Sequence, residues 1–73
     1  MNDDELLILH FLEGAPETFY TRREIARKAV RREVFEENPH WADAPLVALV
    51  ARSLVEQNEA GLYRIKSVDV GRL

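Results

Sequence analysis

Apolar positions fall into four clusters separated by turn-forming residues. The first is Leu6-Leu7-Ile8-Leu9-His10-Phe11-Leu12. Leu6, Leu9 and Phe11 or Leu12 recur at helical spacing. Asn2 or Asp3 stands ready to cap this helix, and Asp3, Asp4 and Glu5 suit the positive end of its dipole. Leu7 and Ile8 are apolar as well, so the helix is apolar nearly all round and needs burial on more than one side. Glu13-Gly14-Ala15-Pro16 ends it, with Gly14 expected as a left-handed C-cap and Pro16 blocking continuation.

Thr18-Phe19-Tyr20 is β-branched and aromatic and reads as a short strand. Thr21-Arg22-Arg23-Glu24 is a capping box that opens a second helix. Ile25, Ala26, Ala29 and Val30 form its inward face, and Arg23, Arg27 and Arg31 lie four apart on the outer side. Beyond Val30 the stripe loses phase, because continuation would bring Glu33 to the inner face. A break near Arg31 to Glu33 is expected, then a short further turn to Glu37.

Asn38-Pro39 marks a turn, and Pro39-His40-Trp41-Ala42 a tight segment. Asp43 is expected to cap another helix, with Pro45 tolerated in its first turn. Leu46, Leu49 and Val50 face inward. Two continuations are open: a helix running on to Asn58, or a stop near Arg52-Ser53 followed by a hairpin. The hairpin is preferred, with strands Leu54–Gln57 and Leu62–Lys66 around the turn Asn58-Glu59-Ala60-Gly61. An isolated strand at 62–66 would have only Phe19-Tyr20 to pair with.

These elements amount to an α+β domain, a three-helix core with a small antiparallel hairpin. Residues 1–66 form one domain, and residues 67–73 are expected as a flexible tail. At 73 residues, a chain buries only about 60 % of its unfolded surface, so stability is marginal. Cysteine is absent, which excludes disulfide scaffolds, thiolate zinc sites and cysteine catalysis. No apolar run approaches the roughly 20 residues of a membrane span. The start of the chain is acidic where a signal peptide is basic, so a cytoplasmic location is expected.

Thr21-Arg22-Arg23-Glu24-Ile25-Ala26 resembles the "T-x-x-E-I-A" opening of the second helix in the winged helix-turn-helix superfamily. Leu49, the turn at Ser53, Val55 and Gly61-Leu62-Tyr63-Arg64-Ile65 are similar to its third helix, turn and "G-L-Y-R-[LI]" wing strand. The resemblance covers about residues 4 to 66. Its motifs are moderately specific together and weak singly. It departs at Ser53, where the family usually has glycine, and between Ile25 and Leu49, where the segment is longer than usual. The resemblance implies a winged helix-turn-helix fold and DNA binding, with the third helix in the major groove and the wing beside the backbone.

Charge bears on that implication. The net charge is -3, but it is segregated: residues 21–32 hold six cations against one acid, Glu24, whereas the first 20 residues hold five acids and neither lysine nor arginine. A segregated basic face binds phosphate on an acidic chain. Candidate contacts are Thr21, Arg22, Arg23, Arg27, Lys28 and Arg31, with Arg52, Arg64 and Lys66 assisting. Against this, Glu24–Lys28 and Arg32–Glu36 are spaced to pair, and mixed charge on a helix is more often a solvated face. The third helix has Arg52 as its only cation and no Asn, Gln or Lys for base edges. Its outward Ala44, Val47, Ala48 and Ala51 suit a protein partner better.

The leading expectation is therefore a DNA-binding or DNA-associated regulatory module docking on phosphates. The alternative is a winged helix used for protein interaction or homodimerisation, with Leu7, Ile8, Phe11, Val47 and Ala48 as contacts. Trp41 is expected as a lid packed on Phe35 or Val34, and Tyr63 as sheet packing. No enzymatic site, cofactor, membrane partner or small-molecule substrate is expected. Ser53 and Ser67 sit in no nucleophile motif, the glycines are isolated, and His10 and His40 do not make a metal site.

Overall fold

A computed structural model describes residues 2–66. The expectation of a flexible tail at 67–73 lies outside the described residues. Four helices precede a two-stranded antiparallel hairpin: α1 Asp3–Glu13, α2 Arg22–Lys28, α3 Arg32–Glu37, α4 Asp43–Ala51, β1 Val55–Gln57 and β2 Tyr63–Ile65. The described residues thus form a small α+β domain with four helices where the sequence suggested three.

The additional helix comes from the expected break. α2 ends at Lys28, with Ala29 as its C-cap, and α3 restarts after Arg31. Continuing α2 would carry Glu33 onto the face of Ile25 and Ala29, against the core. Breaking the helix leaves Glu33 exposed, which avoids burying an unpaired carboxylate.

α1 starts with a capping box: Asn2 Oδ1 accepts from the Glu5 amide at 2.8 Å, and Glu5 Oε1 accepts from the Asn2 amide at 3.3 Å. Its buried stripe is Glu5, Ile8 and Leu12, not Leu6 and Leu9. Leu6 and Leu7 are 40 % and 39 % exposed, and Leu9 and Phe11 are half-buried. The helix end also differs from expectation: Gly14 is right-handed, at φ -69°, and its amide bonds back to Phe11 in a further tight turn. The chain continues the helical turn there instead of reversing hand.

Thr18–Tyr20 contributes only a bridge. Tyr20 and Tyr63 exchange both backbone hydrogen bonds at 2.8 Å. Nevertheless, this bridge fixes the segment before α2 beside the hairpin.

α4 begins one residue earlier than a cap at Asp43 requires. Ala42 is the N-cap, in a right-handed conformation, and Asp43 is the first helical residue. The 39–42 turn runs directly into the helix, so the Asp43 carboxylate is spent elsewhere. Pro45 lies in the first turn and is buried, where its missing amide costs nothing.

At its other end α4 closes with a Schellman pattern. The Leu54 amide donates to Leu49 and the Ser53 amide to Val50, both at 3.0 Å. Ser53 occupies the left-handed position at φ 63°. The reversal launches β1, whose register pairs Val55 with Ile65, Glu56 with Arg64 and Gln57 with Tyr63. The preferred hairpin is therefore observed. Asn58 organises its turn: the side chain accepts from the Ala60 and Leu62 amides, both at 2.9 Å. Gly61, at φ 83°, supplies the positive φ that closes the turn.

The core joins Ile8 and Leu12 to Ile25, Ala26, Leu46, Leu49 and Val55, closed by Trp41 and Ala42. Trp41 is buried as a member of this core, and its indole Nε1 donates to the Ala26 carbonyl at 2.8 Å. That carbonyl belongs to the last turn of α2, where the helix provides no donor of its own.

Candidate nucleic-acid interface

The basic candidates divide by what their charges already touch. Arg22 Nε lies 3.3 Å from Asp43 Oδ1, so it ties the start of α2 to the start of α4. The contact lacks hydrogen-bond geometry, and Asp43 Oδ1 is shielded from solvent without a hydrogen-bond partner. Asp43 Oδ2 also stands 3.6 Å from His40 Nδ1. Arg52 Nη1 lies 3.6 Å from Glu5 Oε1. Arg64 Nε donates to Glu56 Oε2 at 2.8 Å, directly across the hairpin, and its guanidinium rests 4.4 Å from the centroid of the Phe19 ring.

Among the described residues, Arg23, Arg27, Lys28, Arg31 and Lys66 have no such ion pair. All five are exposed. Arg23 and Arg27 share one face of α2, being four apart. Arg31 does not continue that row in the helix, because α2 has ended and Arg31 caps α3 in extended backbone. The expected three-arginine helical stripe is therefore two arginines and a third in the connection.

Lys28 Nζ sits 6.0 Å from the Tyr20 ring centroid. Tyr20 in turn packs on Phe11, with ring centroids 4.8 Å apart. Phe19 and Tyr20 are consecutive in the segment that bridges to Tyr63. Lys28 on Tyr20 and Arg64 on Phe19 thus both meet this short segment. The structure brings both cations to this segment without merging them into one patch.

Local capping consumes other polar groups. Thr21 Oγ1 accepts from the Glu24 amide at 3.0 Å, and Glu24 Oε1 accepts from the Thr21 amide at 2.9 Å. That backbone hydrogen bond, assisted by Lys28 and Arg27 nearby, holds the Glu24 carboxyl below the ordinary glutamate range. Glu24 serves the cap and does not form the expected ion pair with Lys28. The Arg32–Glu36 pair forms at 3.3 Å.

A surface groove of about 370 Å³ opens beside this region, lined by Arg22, Arg23, Phe35, Pro39 and His40. Sequence reading picked out its two arginines but missed Phe35, Pro39 and His40 as their neighbours. The only local signal was the three-residue spacing of His40 and Asp43. Their approach to Arg22 is a tertiary event.

On α4, Val47 is 70 % exposed and is flanked by exposed Ala44 and Ala51 and half-buried Ala48. The proposed partner contacts on α1 fare differently. Ile8 is fully buried in the core and presents nothing to a partner. The physical reason is the rotation of α1, which turns the Glu5–Ile8–Leu12 stripe inward. Phe11 is half-buried against Tyr20, leaving Leu7 as the accessible member.

No protein-family model, curated protein or solved structure matches the chain.

Proposed function

We propose that this protein is a DNA-associated regulatory module of winged-helix type that docks on phosphates through its α2 region. One observation carries the reading. Arg23, Arg27, Lys28 and Arg31 are exposed and without ion pairs among the described residues, within nine consecutive positions. Such a cluster is where phosphate neutralisation gains most, because no internal pair must be broken first. Lys66 at the end of the hairpin supplies a further cation, and Arg64 contributes only if it is shared with Glu56. The order helix, bridge, helices, hairpin supports the winged-helix layout.

Base reading through α4 is not part of the proposal, since its outer face offers methyl groups and Arg52 is engaged by Glu5. The expected mode is backbone docking with little sequence preference. The test is fluorescence anisotropy of a mixed-sequence duplex at two salt concentrations, with the Arg23→Glu, Arg27→Glu double variant alongside. Salt-sensitive binding that the variant loses supports the reading. Each phosphate neutralised adds about -0.9 to the slope of log K against log salt. Absence of binding at low salt overturns it.

The Val47 face favours a second reading, a protein-interaction winged helix. α1 adds less to it than the sequence suggested, because Ile8 and much of Phe11 are already buried. Self-association at tens of micromolar that Val47→Asp abolishes, in a protein that ignores DNA, would establish this alternative.

A further inference from the structure

We propose that the groove lined by Arg22, Arg23, Phe35, Pro39 and His40 holds one unpaired nucleotide, so that the protein prefers single-stranded to duplex DNA. The inference deepens the phosphate-docking reading and rests on it. The groove measures about 370 Å³, near the small end of the roughly 300–1,000 Å³ typical of ligand sites. It is sized for a single flat ring with its phosphate.

Its lining combines two chemistries. Arg22 and Arg23 supply guanidinium groups, and His40 adds an exposed imidazole. Asp43, behind them, engages Arg22 at 3.3 Å and His40 at 3.6 Å. One carboxylate against two guanidiniums leaves the cluster net positive. None of the α3 acids, Glu33, Glu36 or Glu37, lines the groove. Phe35 and Pro39 form the apolar wall, and Phe35 is anchored because it packs against the core.

Cations beside an anchored aromatic ring are the combination that holds unstacked bases. Bases within a duplex are stacked on their neighbours and cannot reach a ring set in a groove. The exposed Ala44, Val47 and Ala51 of α4 offer no base-edge hydrogen bonds in its place. Phe35 therefore distinguishes the strand from the duplex, while the α2 cations serve both.

The test compares a labelled oligothymidylate with a mixed-sequence duplex of equal length by anisotropy, at one salt concentration. Wild type, Phe35→Leu and His40→Ala are measured. Leucine preserves the packing of Phe35 against the core, and His40 is exposed, so at least one variant reports on a folded protein. The strand is expected to bind at least about fivefold more tightly, the lower end of what stacking one base supplies. Both substitutions are expected to reduce that strand-to-duplex preference. Equal binding of the two, tighter duplex binding, or a preference untouched by both variants overturns the subsite and leaves phosphate docking standing.

If neither DNA binds, phosphate docking falls and thymidine monophosphate decides the groove. Amide shifts at Phe35 and His40 beyond those caused by inorganic phosphate would retain a site for free nucleotide. Their absence would overturn it.

Discussion

Arg52, just past the end of α4, reaches 3.6 Å from the carboxylate of Glu5 in the first turn of α1. The Glu5 side chain is 7 % exposed, whereas that of Arg52 is 53 % exposed. The pair thus spans a buried anion and a half-solvated cation, and it links the first helix to the fourth. It also explains why a glutamate occupies the inward stripe of α1: Glu5 closes the capping box and meets Arg52 there.

Arg52→Ala is expected to destabilise the protein by about 1–3 kcal/mol. That is less than the roughly 3–5 kcal/mol for breaking a fully buried pair, because water reaches Arg52. The double variant Arg52→Ala, Glu5→Gln should lose less than the sum of the single losses. Urea denaturation of all four proteins measures the coupling, and strict additivity would show that the contact contributes nothing.

Trp41 is expected to act as more than a space-filling lid. Replacing it by Phe keeps an aromatic ring but leaves the Ala26 carbonyl without its indole donor. A loss of about 1–3 kcal/mol follows. In a domain of this size each kcal/mol lowers the melting temperature by about 4–8 °C. A melting temperature unchanged on Trp41→Phe would refute the capping role.

Ser53 sits at φ 63°, a conformation that costs an L-residue roughly 1–2 kcal/mol. Glycine relieves that strain at an entropic cost of about 0.5–1 kcal/mol. Ser53→Gly should therefore stabilise the fold by up to about 1.5 kcal/mol, visible as a higher melting temperature. Ser53→Val, with a β-branched side chain at the same positive φ, should destabilise it.

The capping box of α2 carries a pH dependence with a defined sign. The Thr21 backbone hydrogen bond lowers the folded pKa of Glu24 below the ordinary 4.5. A depressed carboxyl stabilises the fold above its unfolded pKa, and that contribution disappears as pH falls through the folded value. Glu24 should titrate below pH 4.5 by NMR. Glu24→Gln should make the acid-side loss of stability shallower, and an identical acid limb in both proteins would exclude the cap as its source.

Much of the architecture was legible from local chemistry. Asn2 with Glu5 and Thr21 with Glu24 mark helix starts because both partners of each cap lie within three residues. The Asn58–Gly61 turn and the alternation in 62–66 identify the hairpin for the same reason. The phase loss at Glu33 announces the end of α2, since a charge cannot continue an apolar stripe. The basic segment between residues 21 and 32 is visible in composition alone.

Tertiary structure decided the rest, because it depends on partners far along the chain. An apolar α1 admits several rotations, and only packing against α2, α4 and the hairpin selects Ile8 and Leu12 as its core. Which arginines keep their charge available was likewise invisible: Asp43 is 21 positions from Arg22, and Glu5 is 47 from Arg52. The groove joins Phe35 and Pro39 to Arg22 and Arg23 only because α2 breaks and the chain folds back through Trp41. Local hydrogen bonds and periodicity thus determined the elements, while long-range packing and ion pairing determined the surface that can bind.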